Sequence, residues 1–284
     1  MPIIFSHVHH VFGAKTPFEY HALHDVNLEI EKGSLVAIVG RTGSGKSTLI
    51  QHINALLRPS EGEVRIDDFL NGPKNKLKGK PIKALREKVG MVFQFPEYQL
   101  FEETVEKDVA FAPRNFGSKP EEALEKAHAA LKEVGLDESF YSRSPFELSG
   151  GEKRKVAIAG VLAAKPSVLI LDEPTAGLDP LASVETMELF KKIHESGTDL
   201  VLVTHDMNLV ARYAERVIVV DDGKIAFDGD PVSLFQKDLA SFSLDNPDTY
   251  RVFKELKKRG LKLKDCALRS VDDLADCIKE ALHE

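Results

Sequence analysis

Leu35-Val36-Ala37-Ile38-Val39 runs straight into Gly40-Arg41-Thr42-Gly43-Ser44-Gly45-Lys46-Ser47-Thr48, and no other stretch limits the fold so sharply. A continuous apolar, β-branched run of this kind reads as a strand buried on both faces. The glycine-rich turn after it opens a helix expected from about Lys46 to Leu57, stopped by Pro59 and Gly62. Strand, turn and helix together fit G-x-x-x-x-G-K-[ST] without a gap. Val168–Leu171 and Leu200–Val203 repeat the buried-strand pattern, and helical patterns separate them, so the sheet is expected to be mainly parallel. Ile3–Phe12 and Ala22–Ile30 read as an N-terminal antiparallel layer, and Arg216–Val220 with Lys224–Phe227 as a hairpin over Asp222-Gly223. Between Gln94 and Gly151 the texture turns helical, most clearly over Pro120–Val134, with no buried strand. The fold class is α/β: a P-loop nucleotide-binding fold with an inserted helical subdomain.

The chemistry begins at the turn. Its glycines let the backbone curl so that N–H groups point inward at the β- and γ-phosphates of a nucleotide. The helix start adds about half a positive charge. Lys46 supplies a full charge, and the Ser47 hydroxyl is a hard oxygen ligand suited to Mg²⁺. Val168-Leu169-Ile170-Leu171 then delivers Asp172 and Glu173 at the C-terminal end of a strand, where α/β sheets place ligands. Asp172 is expected to hold the metal through water, and Glu173 to act as general base on an attacking water.

Leu148-Ser149-Gly150-Gly151-Glu152 is a second phosphate-seeking element: a hydroxyl, bare backbone N–H groups and a helix start. With these motifs in this order, residues 1 to about 235 resemble the ATP-binding cassette (ABC) family. The resemblance implies that Ser149, Gly150 and Gly151 form the signature motif, which faces the γ-phosphate held by a partner subunit. It implies that Gln94 is the Q-loop glutamine, a sensor at the metal and γ-phosphate. Ala176-Gly177-Leu178-Asp179 is similar to the D-loop, and His205 to the switch histidine. Phe12 stands where the family places an aromatic on adenine, although it could equally belong to the core. Glu152 departs from the usual Gln, which puts its contact with a partner's ribose in question.

Gln94-Phe95-Pro96-Glu97-Tyr98-Gln99-Leu100-Phe101-Glu102-Glu103-Thr104-Val105 carries a narrower likeness. It resembles the ATPase subunits of energy-coupling-factor (ECF) transporters for vitamins and other micronutrients, and of their two paralogues the A-prime one more closely. That implies a heterodimer with a paralogous ATPase, a transmembrane coupling subunit contacted through the segment after Gln94, and a separate membrane subunit that binds the solute. Phe95, Tyr98, Leu100 and Phe101 form either a groove for that membrane partner or part of the helical subdomain's core. The rival within transporters is the ATPase of another importer, for metal ions or amino acids.

The cassette is expected over residues 1–239, with its helical subdomain at about 95–160. Residues 240–284 are expected to form a small helical extension, for which the resemblance implies dimerisation. There Asn246-Pro247 reads as a helix start and Gly260 as a stop. Ser270 opens a second helix with Val271, Leu274, Ile278 and Leu282 on one face. Cys266 and Cys277 imply no disulfide framework and read as small apolar residues in helices. His7, His9, His10, His21 and His24 lack the companions and spacing of a metal site, and read as structural or surface residues. The net charge of −7 argues against a nucleic-acid partner. Only 55 positions separate Gln94 from Ser149, too few for the long coiled coil of a chromosome-type ABC protein, and the single P-loop argues against a ribosomal one with tandem cassettes. With no signal-peptide pattern over Met1–Phe12 and no long apolar stretch, a place on the cytoplasmic face of the cell membrane, as a peripheral subunit, is expected.

Overall fold

The apolar run Leu35–Val39 sits inside a six-stranded sheet and is buried along its whole length. This computed structural model describes residues 1–75 and 77–283. In chain order the strands are β1 (Ile3–Phe12), β2 (Tyr20–Ile30), β3 (Leu35–Val39), β4 (Glu61–Ile66), β5 (Phe69–Asn71), β6 (Val89–Val92), β7 (Val168–Asp172), β8 (Asp199–Val203), β9 (Arg216–Asp221) and β10 (Lys224–Gly229). The helices are α1 (Lys46–Ile53), α2 (Lys80–Lys88), α3 (Val105–Phe116), α4 (Pro120–Glu133), α5 (Gly150–Leu162), α6 (Pro180–Glu195), α7 (Met207–Tyr213), α8 (Pro231–Phe235), α9 (Asp248–Lys258) and α10 (Val271–His283).

The large sheet has the order β10-β9-β3-β8-β7-β6. Every neighbouring pair is parallel except the hairpin β9–β10 at one edge. Alternation along β3 divides the core in two. Leu35, Ala37 and Val39 join the apolar cluster on the helix-covered face, whereas Val36 and Ile38 join the one shared with the second sheet and α1. Burial on both faces is why the strand needs five apolar residues in succession rather than every second one. The second sheet, order β2-β1-β4-β5, is antiparallel and uses the pleat of β1 with bulges beyond Phe5. β4, β5 and β6 complete the two sheets, and neither they nor α2 are among the elements expected from pattern.

Parallel strands bring their C-terminal ends to one edge. Val39, Val203, Asp172 and Val92 end β3, β8, β7 and β6 in that spatial order, so the residues after them gather along one rim. Helices α3, α4 and α5 pack on one another in the stretch between β6 and β7, as the helical texture there requires.

Several local expectations change. α1 ends at Ile53 rather than near Leu57: Asn54 caps it and Ala55 turns to φ 52°. The Asn71 side chain holds that turn, donating to the carbonyls of His52 (3.2 Å) and Leu57 (2.8 Å). In the tail, Pro247 rather than Asn246 is the N-cap of α9, and the Asn246 side chain instead accepts from Lys254 Nζ at 2.6 Å. Val271 and Leu282 are exposed, and Cys277 joins Leu274 on the buried face of α10. Cys266 lies before that helix, not in one, with its Sγ 3.0 Å from Cys277 Sγ. Tyr250, Phe253, Leu263, Leu268 and Leu274 all belong to the main core cluster. At about 1.5–3 kcal/mol per buried side chain, this docking outweighs the instability of two short helices in isolation.

Candidate nucleotide site

The loop Gly40–Thr48 is held by close backbone packing. A Cβ on Gly40 would stand 2.1 Å from the Val220 carbonyl oxygen, and one on Gly45 would stand 2.7 Å from the Ala22 carbonyl oxygen. Only glycine fits at those two places. The Gly223 N–H donates to the Ser44 carbonyl at 2.9 Å, and the Tyr20 hydroxyl to the Gly43 carbonyl at 3.2 Å. Arg41 lies 3.4 Å from Asp221. The Ser44 hydroxyl is buried without a partner. Lys46 Nζ donates to the loop's own carbonyls, Gly40 at 2.6 Å and Arg41 at 3.0 Å. Burial pushes the Lys46 pKa below its ordinary value, while the carboxylates of Glu173 and Asp172 oppose that fall. Ser47 and Thr48 form the first turn of α1.

Asp172 closes β7, and its carboxyl is pushed up by burial first and by Glu173 second, with Lys46 opposing. Two adjacent carboxyls thus share one lysine, an arrangement that a divalent cation would balance. Glu173 stands in the left-handed region at φ 49°, held by its N–H to the Val203 carbonyl at 2.9 Å. Such a backbone state persists only where its surroundings fix it. Glu173 Oε1 lies 2.9 Å from His205 Nδ1, and Oε2 accepts the Thr204 hydroxyl at 3.4 Å. A cavity of about 670 Å³ brings together Gln94, Phe95, Glu173, Thr204 and His205. Thus the end of β6, the end of β7 and the end of β8 contribute to one space. Asp179 lies further along the same loop and caps α6, accepting the N–H groups of Leu181 and Ala182 at 3.0 Å each.

Ser149 is different. It caps α5 in a closed box: its hydroxyl accepts the Glu152 N–H, and Glu152 Oε2 accepts both the Ser149 N–H (2.8 Å) and its hydroxyl (2.7 Å). These bonds hold the Glu152 pKa below the usual carboxylate value. A Cβ on Gly150 or Gly151 would meet nothing within 4 Å. Ser149 and Gly151 border a second cavity, of about 460 Å³, between α5 and α6. Its lining shares only Leu178 with that of the Glu173 cavity.

Comparison with known proteins decides the family. An ABC transporter family model matches residues 23–176. The chain is 48% identical to the energy-coupling factor transporter ATP-binding protein EcfA2 of Bacillus licheniformis, over 100% of this chain and 99% of that one. The chain belongs to the ECF group of ABC transporter ATPases. Two solved structures share its fold. One is cbiO1 from Clostridium perfringens, part of the ABC transporter complex cbiONQ (TM-score 0.73, 36% identity, 91% of this chain and 96% of that one). The other is the dimeric cassette MJ0796 in a post-hydrolysis state with ADP and Pi (TM-score 0.70, 35% identity, 81% and 98%). The activity of this ECF ATPase is ATP hydrolysis coupled to transport.

Some of the site lay outside the sequence reading. Tyr20 and Thr204 touch the site's loop and carboxylate through side-chain hydrogen bonds that no motif encodes. Phe12 is 40% exposed, which leaves it out of the core, and it pairs with Tyr20 across β1 and β2. In the ECF-like segment Leu100 is buried, so it belongs to the core and not to a surface groove. Phe95, Tyr98 and Phe101 remain exposed, Tyr98 most of all at 85%, and Phe111 of α3 stands edge-on to Phe101 at 5.0 Å. Among the described residues no helix is long and apolar enough to cross a membrane, and no cluster of three or more His, Cys, Asp or Glu could hold a metal.

Proposed function

We propose that this ECF ATPase hydrolyses Mg-ATP at a site completed by a second, paralogous ATPase, and drives micronutrient uptake from the cytoplasmic face of the cell membrane. In this reading the cassette covers residues 1–239, with its helical subdomain at about 95–160, and residues 240–284 form an extension used in dimerisation. Gly40–Thr48 binds the phosphates, with Lys46 on the β- and γ-oxygens, and Phe12 stacks on adenine. The Ser47 hydroxyl, Asp172 through water and Gln94 would hold Mg²⁺, which supplies positive charge to the phosphate oxygens. Magnesium sites of this kind need few protein ligands, because the nucleotide provides the rest.

Glu173 takes the proton of the attacking water as the water oxygen bonds to the γ-phosphorus and ADP leaves with the bridging oxygen and its electrons. His205, already on Glu173 Oε1 in this structure, then moves to the γ-phosphate. Ser149, Gly150 and Gly151 serve the nucleotide of the partner ATPase, and Asp179 lies on the loop facing that partner.

One observation carries the link to a membrane: Gln94 and Phe95 line the cavity of Glu173 and His205, and the residues that follow expose Tyr98 and Phe101. A single short segment therefore joins the γ-phosphate site to an aromatic surface fit for helices of a transmembrane coupling subunit. Changing Tyr98 and Phe101 together to Asp should abolish ATP-driven uptake in vesicles while the chain still folds and binds ATP. Normal uptake by this double variant would reject the docking surface.

A further inference from the structure

Arg154 lies on α5, five residues after Ser149, and is 5% exposed. Its guanidinium reaches across to the backbone after β7: one terminal nitrogen donates to the Pro174 carbonyl at 2.7 Å, the other to the Ala176 carbonyl at 2.9 Å. Those two residues bracket the turn that follows Glu173, where the Ala176 N–H donates back to the Glu173 carbonyl at 3.1 Å. The third donor, Nε, is buried without a partner, and so is Oε2 of Glu97. Glu97 belongs to the short helical turn Pro96–Gln99, which packs on α5. Burial pulls the Arg154 pKa down and the Glu97 carboxylate opposes it, so the two charges feel one another without bonding.

A buried guanidinium and a half-buried carboxylate with one buried oxygen, each short of one bond, are costly to keep. Their position suggests a use. α5 carries the signature at its start, the Pro174–Ala176 turn follows the general base, and Glu97 sits on the aromatic segment after Gln94. We propose that Arg154 is a positioning residue that ties the signature helix to the turn holding Glu173, and that Glu97 closes onto its Nε when the segment after Gln94 moves. This rests on the shared-site reading above. Under it, one side chain makes this chain's own base and the signature it lends to the partner move together, under control of the membrane-facing segment. The planar fork matters: two carbonyls two residues apart suit a guanidinium and not a single ammonium.

The test uses the whole transporter, with both ATPases and the membrane subunits, carrying Arg154→Lys. Hydrolysis is read at each site separately. Lys46→Ala in the same chain leaves only the partner's site, and replacing the partner's P-loop lysine leaves only this one. The expected result is a fall of about 10-fold or more in kcat at both sites, with KM for ATP within about two-fold, as misplacement of a reacting group produces. Glu97→Gln should instead reduce the stimulation of hydrolysis by the membrane subunits. Wild-type kcat at either site in Arg154→Lys would overturn the proposal. So would a matching rise in KM, or full membrane stimulation in Glu97→Gln. Thermal melting of the isolated chain accompanies each variant, and a kcat loss that merely follows lost folding counts against the positioning role. Ser149→Arg in parallel separates the two readings: if it leaves the partner's site active, the shared site itself has failed, whereas if it silences that site and Arg154→Lys does not, only the relay has failed.

Discussion

Gly40 and Gly45 have carbonyl oxygens of other strands pressed against them, whereas Gly150 and Gly151 have open space. The first pair must be glycine for this chain to fold as it does. The second pair has no such reason within the chain. In the proposed reading, a bare backbone is useful at 150 and 151 because a phosphate held by another subunit approaches it. The hydrogen bonds agree. The P-loop is bonded to β9, β10 and β2 territory through Ser44, Gly223 and Tyr20, while the bonds of Ser149 run to its own helix, through Glu152 and Lys153. In the proposed reading, one element is this chain's own binding site and the other a half-site for the partner's nucleotide.

The largest effect expected falls on the chain's own site. Glu173→Gln keeps the shape of the side chain and removes the proton acceptor, so hydrolysis should slow by about 10²–10⁴-fold with ATP binding retained. Turnover measured with the partner's own site disabled checks this, and unchanged turnover would remove Glu173 from its role as base. A smaller effect sharpens the contrast between the two glycine pairs. Gly40→Ala forces backbone apart and should cost on the order of 1–3 kcal/mol in denaturant unfolding of the isolated chain. Gly150→Ala should stay within about 0.5 kcal/mol of the parent, as an exposed change does. Equal losses would mean that the signature glycines serve the fold after all.

How much of this was legible in the sequence depends on whether the reason was local. β3, β7 and β8 announce themselves because a strand buried on both faces needs an unbroken apolar run, and the P-loop because its chemistry is contiguous. β6 is four residues with Gly90 inside it, too short and too plain to stand out. The end of α1 is set by Asn71, a residue of β5, so no signal within the helix could mark it. From the sequence His10 reads as a structural or surface residue, and nothing singles out His52. They meet as a buried pair with ring nitrogens 3.1 Å apart, and burial pulls the His52 pKa down to about 4. Leu100 looked like its exposed neighbours because its segment has no periodicity, and only packing separates it from Tyr98 and Phe101. Arg154 and Glu97 face each other across a gap of more than fifty positions in the chain, and their orphaned atoms exist only once α5 and the turn after Gln94 are packed.

The central claim, that Ser149 serves a nucleotide other than this chain's own, is tested most directly by labelling each ATPase of the complex separately with a photoreactive ATP analogue and following hydrolysis at each. Ser149→Arg places a bulky cation where a γ-phosphate must fit. In this chain it should silence hydrolysis at the partner's P-loop while labelling at Lys46 persists. Lys46→Ala should do the reverse, emptying this chain's own site and leaving the partner labelled. If Ser149→Arg instead abolishes ATP binding to its own chain in the absence of any partner, the signature acts within one molecule and the shared site is wrong.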